Sequence, residues 1–145
     1  MATYTTAQMA ASGIMPATAS DAASTPGPVI IEYFLDASKK AIAAADIVTF
    51  LDIPAATGIV VSGATLEVIV AGTATATIDV GIAGTDITGL TAFDAATVGK
   101  SIKLATAANS VITTSGTSSL TLQVNTAGLG SGKFRVRVYG DIIKA

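Results

Sequence analysis

The sequence predicts an all-β chain: a β-sandwich or jelly roll of about eight short antiparallel strands, preceded by an extended N-terminal arm. Three observations carry this expectation. Apolar and polar residues alternate with period two in at least four segments, turn-forming residues recur every eight to twelve positions, and no helical pattern separates one strand from the next as a parallel sheet requires. At 145 residues the chain has the length of one domain.

The arm spans residues 1–28 and the body residues 29–145. Ala, Ser and Thr dominate Ala17 to Thr25, and Pro26-Gly27-Pro28 closes the stretch. Small polar side chains offer little apolar surface to offset ordering entropy, and the Pro-Gly-Pro segment breaks any helix. The arm therefore reads as flexible, or as a segment that orders on a partner through Met9, Ile14 and Met15, its few apolar anchors.

Val29 to Leu35 is a nearly continuous apolar run, as in a buried strand. Asp36 to Ala45 suits one helical turn or a loop. Asp46 to Ile53 is a strand stopped by Pro54, and Ile59 to Ala71 a strand broken or bulged at Gly63. Thr75 to Ala83 alternates cleanly, with Ala76, Ile78, Val80 and Ile82 on one face. Gly84 to Gly99 reads as a long loop holding Leu90 and Phe93, followed by short strands at Ser101 to Leu104 and Ser110 to Thr114. Ser118 to Asn125 points Leu120, Leu122 and Val124 inward. Lys133 to Ile143 points Phe134, Val136 and Val138 inward and Lys133, Arg135, Arg137 and Tyr139 outward. With no Trp and seven other aromatics, the core is expected to rest on Val, Ile, Leu and Ala with Phe34, Phe50, Phe93 and Phe134.

Composition excludes several classes of function. Ala, Thr, Gly and Ser supply about half of the residues and charged residues only 12%. The positive mean hydropathy owes much to alanine. No apolar run reaches the length of a membrane-spanning helix, and aromatics are too few for the girdles of a transmembrane barrel. The N-terminus has neither the basic nor the continuous apolar region of a secretory signal. A net charge of −2 with eight scattered basic residues gives no footprint for nucleic acid. The chain reads as soluble, with no membrane, nucleic-acid or small-molecule partner.

Chemistry is equally constrained. The absence of His removes the usual general base and the commonest metal ligand, and the absence of Cys removes thiolate and disulfide chemistry. Ser38-Lys39 and Lys100-Ser101 are loop neighbours without a supporting signature. The two Glu and eight Asp are scattered, most of the Asp where that residue serves turns and strand ends. Asp86 and Asp94 share a loop but lack the close spacing of a calcium site. The glycine runs at Gly81 to Gly84 and Gly128 to Gly132 lack the Lys and Ser/Thr of a phosphate loop. No enzyme, cofactor or metal is expected.

The one charge cluster with geometry is Lys133, Arg135 and Arg137, spaced by two so that all three share a strand face. It serves either an acidic partner surface or internal pairing with Asp79 or Glu67 and protection of a sheet edge.

The stretch DIVTFLDIPAATGIVVSGATLEVIVAGTATATIDVGIA, Asp46 to Ala83, together with the C-terminal KFRVRVYGDII, resembles small structural proteins of tailed-bacteriophage heads. Capsid decoration (cement) proteins share a strand ending in Asp-Ile-Pro-Ala, a T-x-D-V-G-x-A-G strand and a final R-V-x-V-x-G strand. The resemblance covers roughly Ala45 to Ile143 in composition and strand order. It implies a non-enzymatic β-sandwich made in the host cytoplasm and placed on the virion surface, stabilising the shell. It also implies the major capsid protein as partner, a homotrimer with a heterologous ring-closing interface, and an arm reaching across the shell. A second expectation, of a different class, is a carbohydrate- or receptor-binding sandwich of a fibre or tail, which the lack of Trp for sugar stacking disfavours. A pilus-like surface subunit is opposed by the missing signal peptide.

Overall fold

A computed structural model describes residues 1–19, 27–53, 58–106, 111–113 and 118–144. Numbered in chain order, its strands are β1 (Thr3–Tyr4), β2 (Thr18–Ala19), β3 (Gly27–Asp36), β4 (Ile47–Ile53), β5 (Gly58–Val70), β6 (Thr77–Ile82), β7 (Thr85–Asp86), β8 (Phe93–Asp94), β9 (Gly99–Leu104), β10 (Val111–Thr113), β11 (Ser118–Asn125) and β12 (Lys133–Lys144). The described helix is α1 (Thr6–Ala11). One sheet runs β1-β4-β11-β6-β7, with β8 also on β6. The other runs β10-β5-β12-β3-β2, with β9 also on β5. Pairing is antiparallel except between β1 and β4.

Successive long strands alternate between the sheets: β3 in the second, β4 in the first, β5 in the second, β6 in the first, and at the end β11 in the first and β12 in the second. That wrapping is a double-sheet jelly roll, as the strand spacing foretold. The core lies between the sheets. Leu120, Leu122 and Val124 of β11 and Phe134, Val136 and Val138 of β12 are buried in it, as alternation required. Tyr33 stacks on Phe50 across the layer, ring centroids 5.3 Å apart. Burial pushes the Tyr33 hydroxyl's pKa up, and that hydroxyl has no hydrogen-bond partner among the described residues.

The break expected at Gly63 is a bulge inside one continuous strand. Tyr139 lies opposite Gly63 but Gly140 opposite Val61, so Ser62 is the extra residue and donates its hydroxyl to the Tyr139 carbonyl at 3.0 Å. The loop after β6 carries Ile87, Leu90 and Phe93 into the core, held by the short strands β7 and β8. Lys133 to Lys144 and Gly27–Asp36 run close to their expected bounds.

One core assignment is corrected. Phe34 is 43% exposed, and Tyr33 takes the inward position instead. The physical reason is parity. Val29, Ile31, Tyr33 and Leu35 face in, so Ile30, Glu32 and Phe34 share the outer face.

The N-terminal segment also departs from expectation. Residues 1–19 pack on the body rather than forming a free arm. Thr3–Tyr4 add to β4 in parallel register, and Thr18–Ala19 add to β3 at Glu32 and Ile31. Between them α1 is opened by a capping box in which Thr5 and Gln8 exchange side-chain-to-backbone bonds. Composition understates this segment because two well-spaced apolar residues suffice to anchor it: Met9 and Ile14 are 1% and 2% exposed within the core. The arm's expected end at Pro28 falls inside β3, whose Gly27 and Pro28 pair with Ile142 and Asp141 of β12.

Asp46 fastens the chain's first residues to β4. Its carboxylate accepts the Ala2 N–H at 2.8 Å, the Tyr4 hydroxyl at 2.9 Å and the Ala43 N–H at 3.3 Å, and the Ile47 N–H returns to the Ala2 carbonyl. The Ala2 N–H above all, then the Tyr4 hydroxyl and Ala43 N–H, hold this carboxyl below the usual carboxylate range against the opposing effect of burial. A carboxyl with a lowered native pKa contributes stability that is present above about pH 4 and is lost as pH falls through the native value. Asp46→Asn is therefore expected to lower the melting temperature at neutral pH and to flatten the acid limb of stability, read by thermal melts between pH 2 and 7.

Candidate assembly interface

The outer face of the second sheet is a grid set by strand register. Across β3, β12, β5 and β9, one row reads Phe34, Arg135, Glu67, Lys100; the next Glu32, Arg137, Thr65, Ile102; the third Ile30, Tyr139, Gly63, Leu104. Arg135, Arg137 and Glu67 occupy the middle, while Glu32 and Lys100 stand among the apolar side chains of the two margins. Arg137 Nε donates to Glu32 Oε2 at 2.7 Å, and Arg135 NH1 donates to Glu67 Oε2 at 3.4 Å, with Glu32 Oε1 4.0 Å from Arg135 Nε. The Glu32 bond and charge raise the Arg137 pKa further, so the guanidinium stays charged. Lys133 lies exposed at one end opposite Asp36, whose carboxyl is held low, foremost by its bond from the Ser38 hydroxyl.

The basic stripe is thus internally paired at Arg135 and Arg137. Glu67 is one partner, as one reading of the stripe required. Asp79 is not: it sits in the other sheet, accepting the Ala92 N–H at 2.7 Å and a bond from Asn125. Glu32 takes its place, because β3 rather than β6 flanks β12. Changing Arg135 and Arg137 together to Gln is expected to lower stability only modestly, since ion pairs this exposed are weakened by solvent. A urea titration at low and high salt checks this; the loss should shrink at high salt.

The two outer faces differ in chemistry. Thr77, Gln123 and Asn125 are half-buried on the outer side of the first sheet, Thr49, Asp79 and Thr121 are buried there beneath neighbouring chain, and no exposed large apolar residue lies on β4, β6 or β11. On the second sheet Ile30, Phe34, Ile69, Val70, Ile102 and Leu104 are all exposed. Of the three N-terminal anchors, Met15 alone is exposed; Met9 and Ile14 are spent on the chain's own core. Met15 lies beside Phe34 on a groove of about 330 Å³.

Asp79 and Asp86 are near neighbours, and burial, then the Asp79 charge, pushes the Asp86 carboxyl up. The bond from the Ala92 N–H to Asp79 and the β6–β7 pairing at Asp86 tie the long loop to β6. No group of three metal-ligating side chains occurs among the described residues. Sequence reasoning missed Ile30, Phe34, Ile102 and Leu104. The signal for the first two was Glu32, whose position marks the even-numbered residues of β3 as the wet side.

No protein-family model matches this chain, and no curated protein matches it. Solved structures share its fold. A chain of the structure described as the cyanophage Pam1 capsid asymmetric unit is similar over 81% of this chain and 86% of its own length, at 22% identity and a TM-score of 0.53. A chain of the capsid of Ralstonia phage GP4 is similar over 78% of this chain and 83% of its own, at 20% identity and a TM-score of 0.51. At these identities the likeness establishes the jelly-roll fold.

Proposed function

We propose that this chain is a non-enzymatic structural protein of a tailed-phage virion that sits on the outside of the head, binds the major capsid protein and stabilises the shell as a trimer. It would be synthesised in the host bacterial cytoplasm and act on the capsid surface. The observation that carries the reading is that six of the nine exposed large apolar side chains among the described residues lie on strands of the second sheet, on a jelly roll with no metal-ligating cluster among those residues. A jelly roll also serves lectins and other binding modules, so the fold alone does not choose a function. The likeness to two phage-capsid chains over about four-fifths of this chain supports the capsid choice.

Binding to a regular shell calls for a saturable site repeated around the particle. Purified protein added to capsids lacking it is expected to co-sediment up to a fixed number of copies per capsid and to raise the temperature at which the shell opens. Absence of co-sedimentation, with binding to a glycan array instead, would replace this reading by a receptor-binding one.

A further inference from the structure

We infer that neighbouring copies of this chain join head to tail, the Ile102–Leu104 ridge of one copy seating in the Met15–Phe34 groove of the next. The inference rests on the oligomeric part of the proposed function and specifies the contact that makes it.

The first premise is that the middle of the second sheet's outer face is a poor contact. Arg135, Arg137, Glu32 and Glu67 are already paired there and half-exposed. Covering them with a facing sheet would remove four charges from water with no new partner, a desolvation cost that such pairs seldom recover. Apolar surface lies instead at the sheet's two margins. A contact that uses both margins and spares the centre joins one margin of one copy to the opposite margin of another. Such a contact is heterologous, and it closes into a ring when the rotation between copies allows.

The margins also fit each other. Ile102 and Leu104 project from the β9 margin: they are 69% and 75% exposed on a strand paired only with β5 among the described residues. An edge strand with two bare aliphatic side chains is what natural sheets cover. The β3 margin is concave. Ile14, Met15, Pro16 and Phe34 line a groove of about 330 Å³, with Glu32 and Asp36 on its wall. Lys39 also borders it, but its ammonium is engaged with the Gly13 carbonyl at 3.2 Å. Beside the ridge stands Lys100, exposed and without an ion pair among the described residues. Lys100 beside the ridge and Asp36 on the groove wall set the direction of seating, Glu32 on the same wall being already bonded to Arg137.

Head-to-tail contacts have a signature that symmetric ones lack. The ridge variant I102E/L104E and the groove variant M15E/F34E change exposed side chains only, so each is expected to keep the wild-type circular-dichroism spectrum. In sedimentation velocity at micromolar concentration the wild type is expected as a closed oligomer and each variant as a 14.3 kDa monomer. Mixed in equal amounts, the variants should form a one-to-one dimer and nothing larger, because the intact groove of the first receives the intact ridge of the second. A monomeric wild type, an oligomer surviving either change, or a mixture that stays monomeric overturns the inference. Co-sedimentation with capsids separates the two readings. A wild type that binds capsids as a monomer overturns this contact and the trimer but leaves the capsid-binding part of the proposed function; a closed oligomer that passes the mixing test but ignores capsids supports this contact and overturns the capsid-binding part.

Discussion

Replacing Met9 with alanine is expected to cost about 2–5 kcal/mol of folding stability, the range for removing most of a buried side chain. Met9 is 1% exposed on a helix of six residues that packs against β4. A helix this short does not hold itself in water, so the order of residues 6–11 comes from that packing and from the Thr5–Gln8 capping box. Losing the Met9 side chain therefore removes core contacts and loosens the helix that delivers them. Met9→Asp should be worse, since a buried carboxylate there would have no described cation beside it. Thermal and urea melts read the effect directly. An unchanged melt would mean that the N-terminal segment is a separable arm, as its Ala/Ser/Thr composition suggests.

Phe134→Ala is expected to cost about 3–5 kcal/mol, a large share of the roughly 5–15 kcal/mol that holds a domain together. Phe134 is fully buried on β12, the strand between β3 and β5. Its ring lies where two glycines leave room. A Cβ added to Gly72 would stand 2.8 Å from the ring's Cζ, and one added to Gly132 2.6 Å away. Gly132 also holds φ at +108°, where side chains are strained. Gly72→Ala should thus destabilise by pushing on the ring and on the Ala95 carbonyl and Leu129 Cδ2, both at 2.9 Å. The double change Phe134→Ala with Gly72→Ala should then cost less than the sum of its parts, because the methyl enters the space the ring vacates. Additive losses in urea titrations would show that the ring and Gly72 do not share a cavity.

The body was legible in the sequence because two-residue alternation maps directly onto a sheet with one wet face. Leu120, Leu122 and Val124, and Phe134, Val136 and Val138, needed no tertiary information. Phe34 was misplaced because every residue of Val29 to Leu35 except Glu32 is apolar, so hydrophobicity alone cannot choose the inward set. The N-terminal segment was misread for the opposite reason. Its packing depends on two residues, Met9 and Ile14, and on a partner surface provided by strands more than thirty residues away. The interface was half legible. Spacing placed Arg135 and Arg137 on one face, but their partner Glu32 could be found only once β3 was known to flank β12. The exposure of Ile102 and Leu104 follows from β9 lying at the edge of β5, a fact of topology that the local pattern does not contain.

The chain's lack of cysteine makes the most direct test simple, since single cysteines can be placed at will. Ile30→Cys and Ile102→Cys report on the outer face of the second sheet, and Gln123→Cys on that of the first. Each variant is assembled onto purified phage heads and reacted with a thiol reagent, with the same variant unfolded in urea as reference. If the second sheet carries the assembly contacts, Cys labelling at positions 30 and 102 is strongly slowed on the particle while position 123 remains reactive. Rapid labelling at positions 30 and 102 with protection at 123 would contradict the account, because the chain would then meet its partners through the polar sheet.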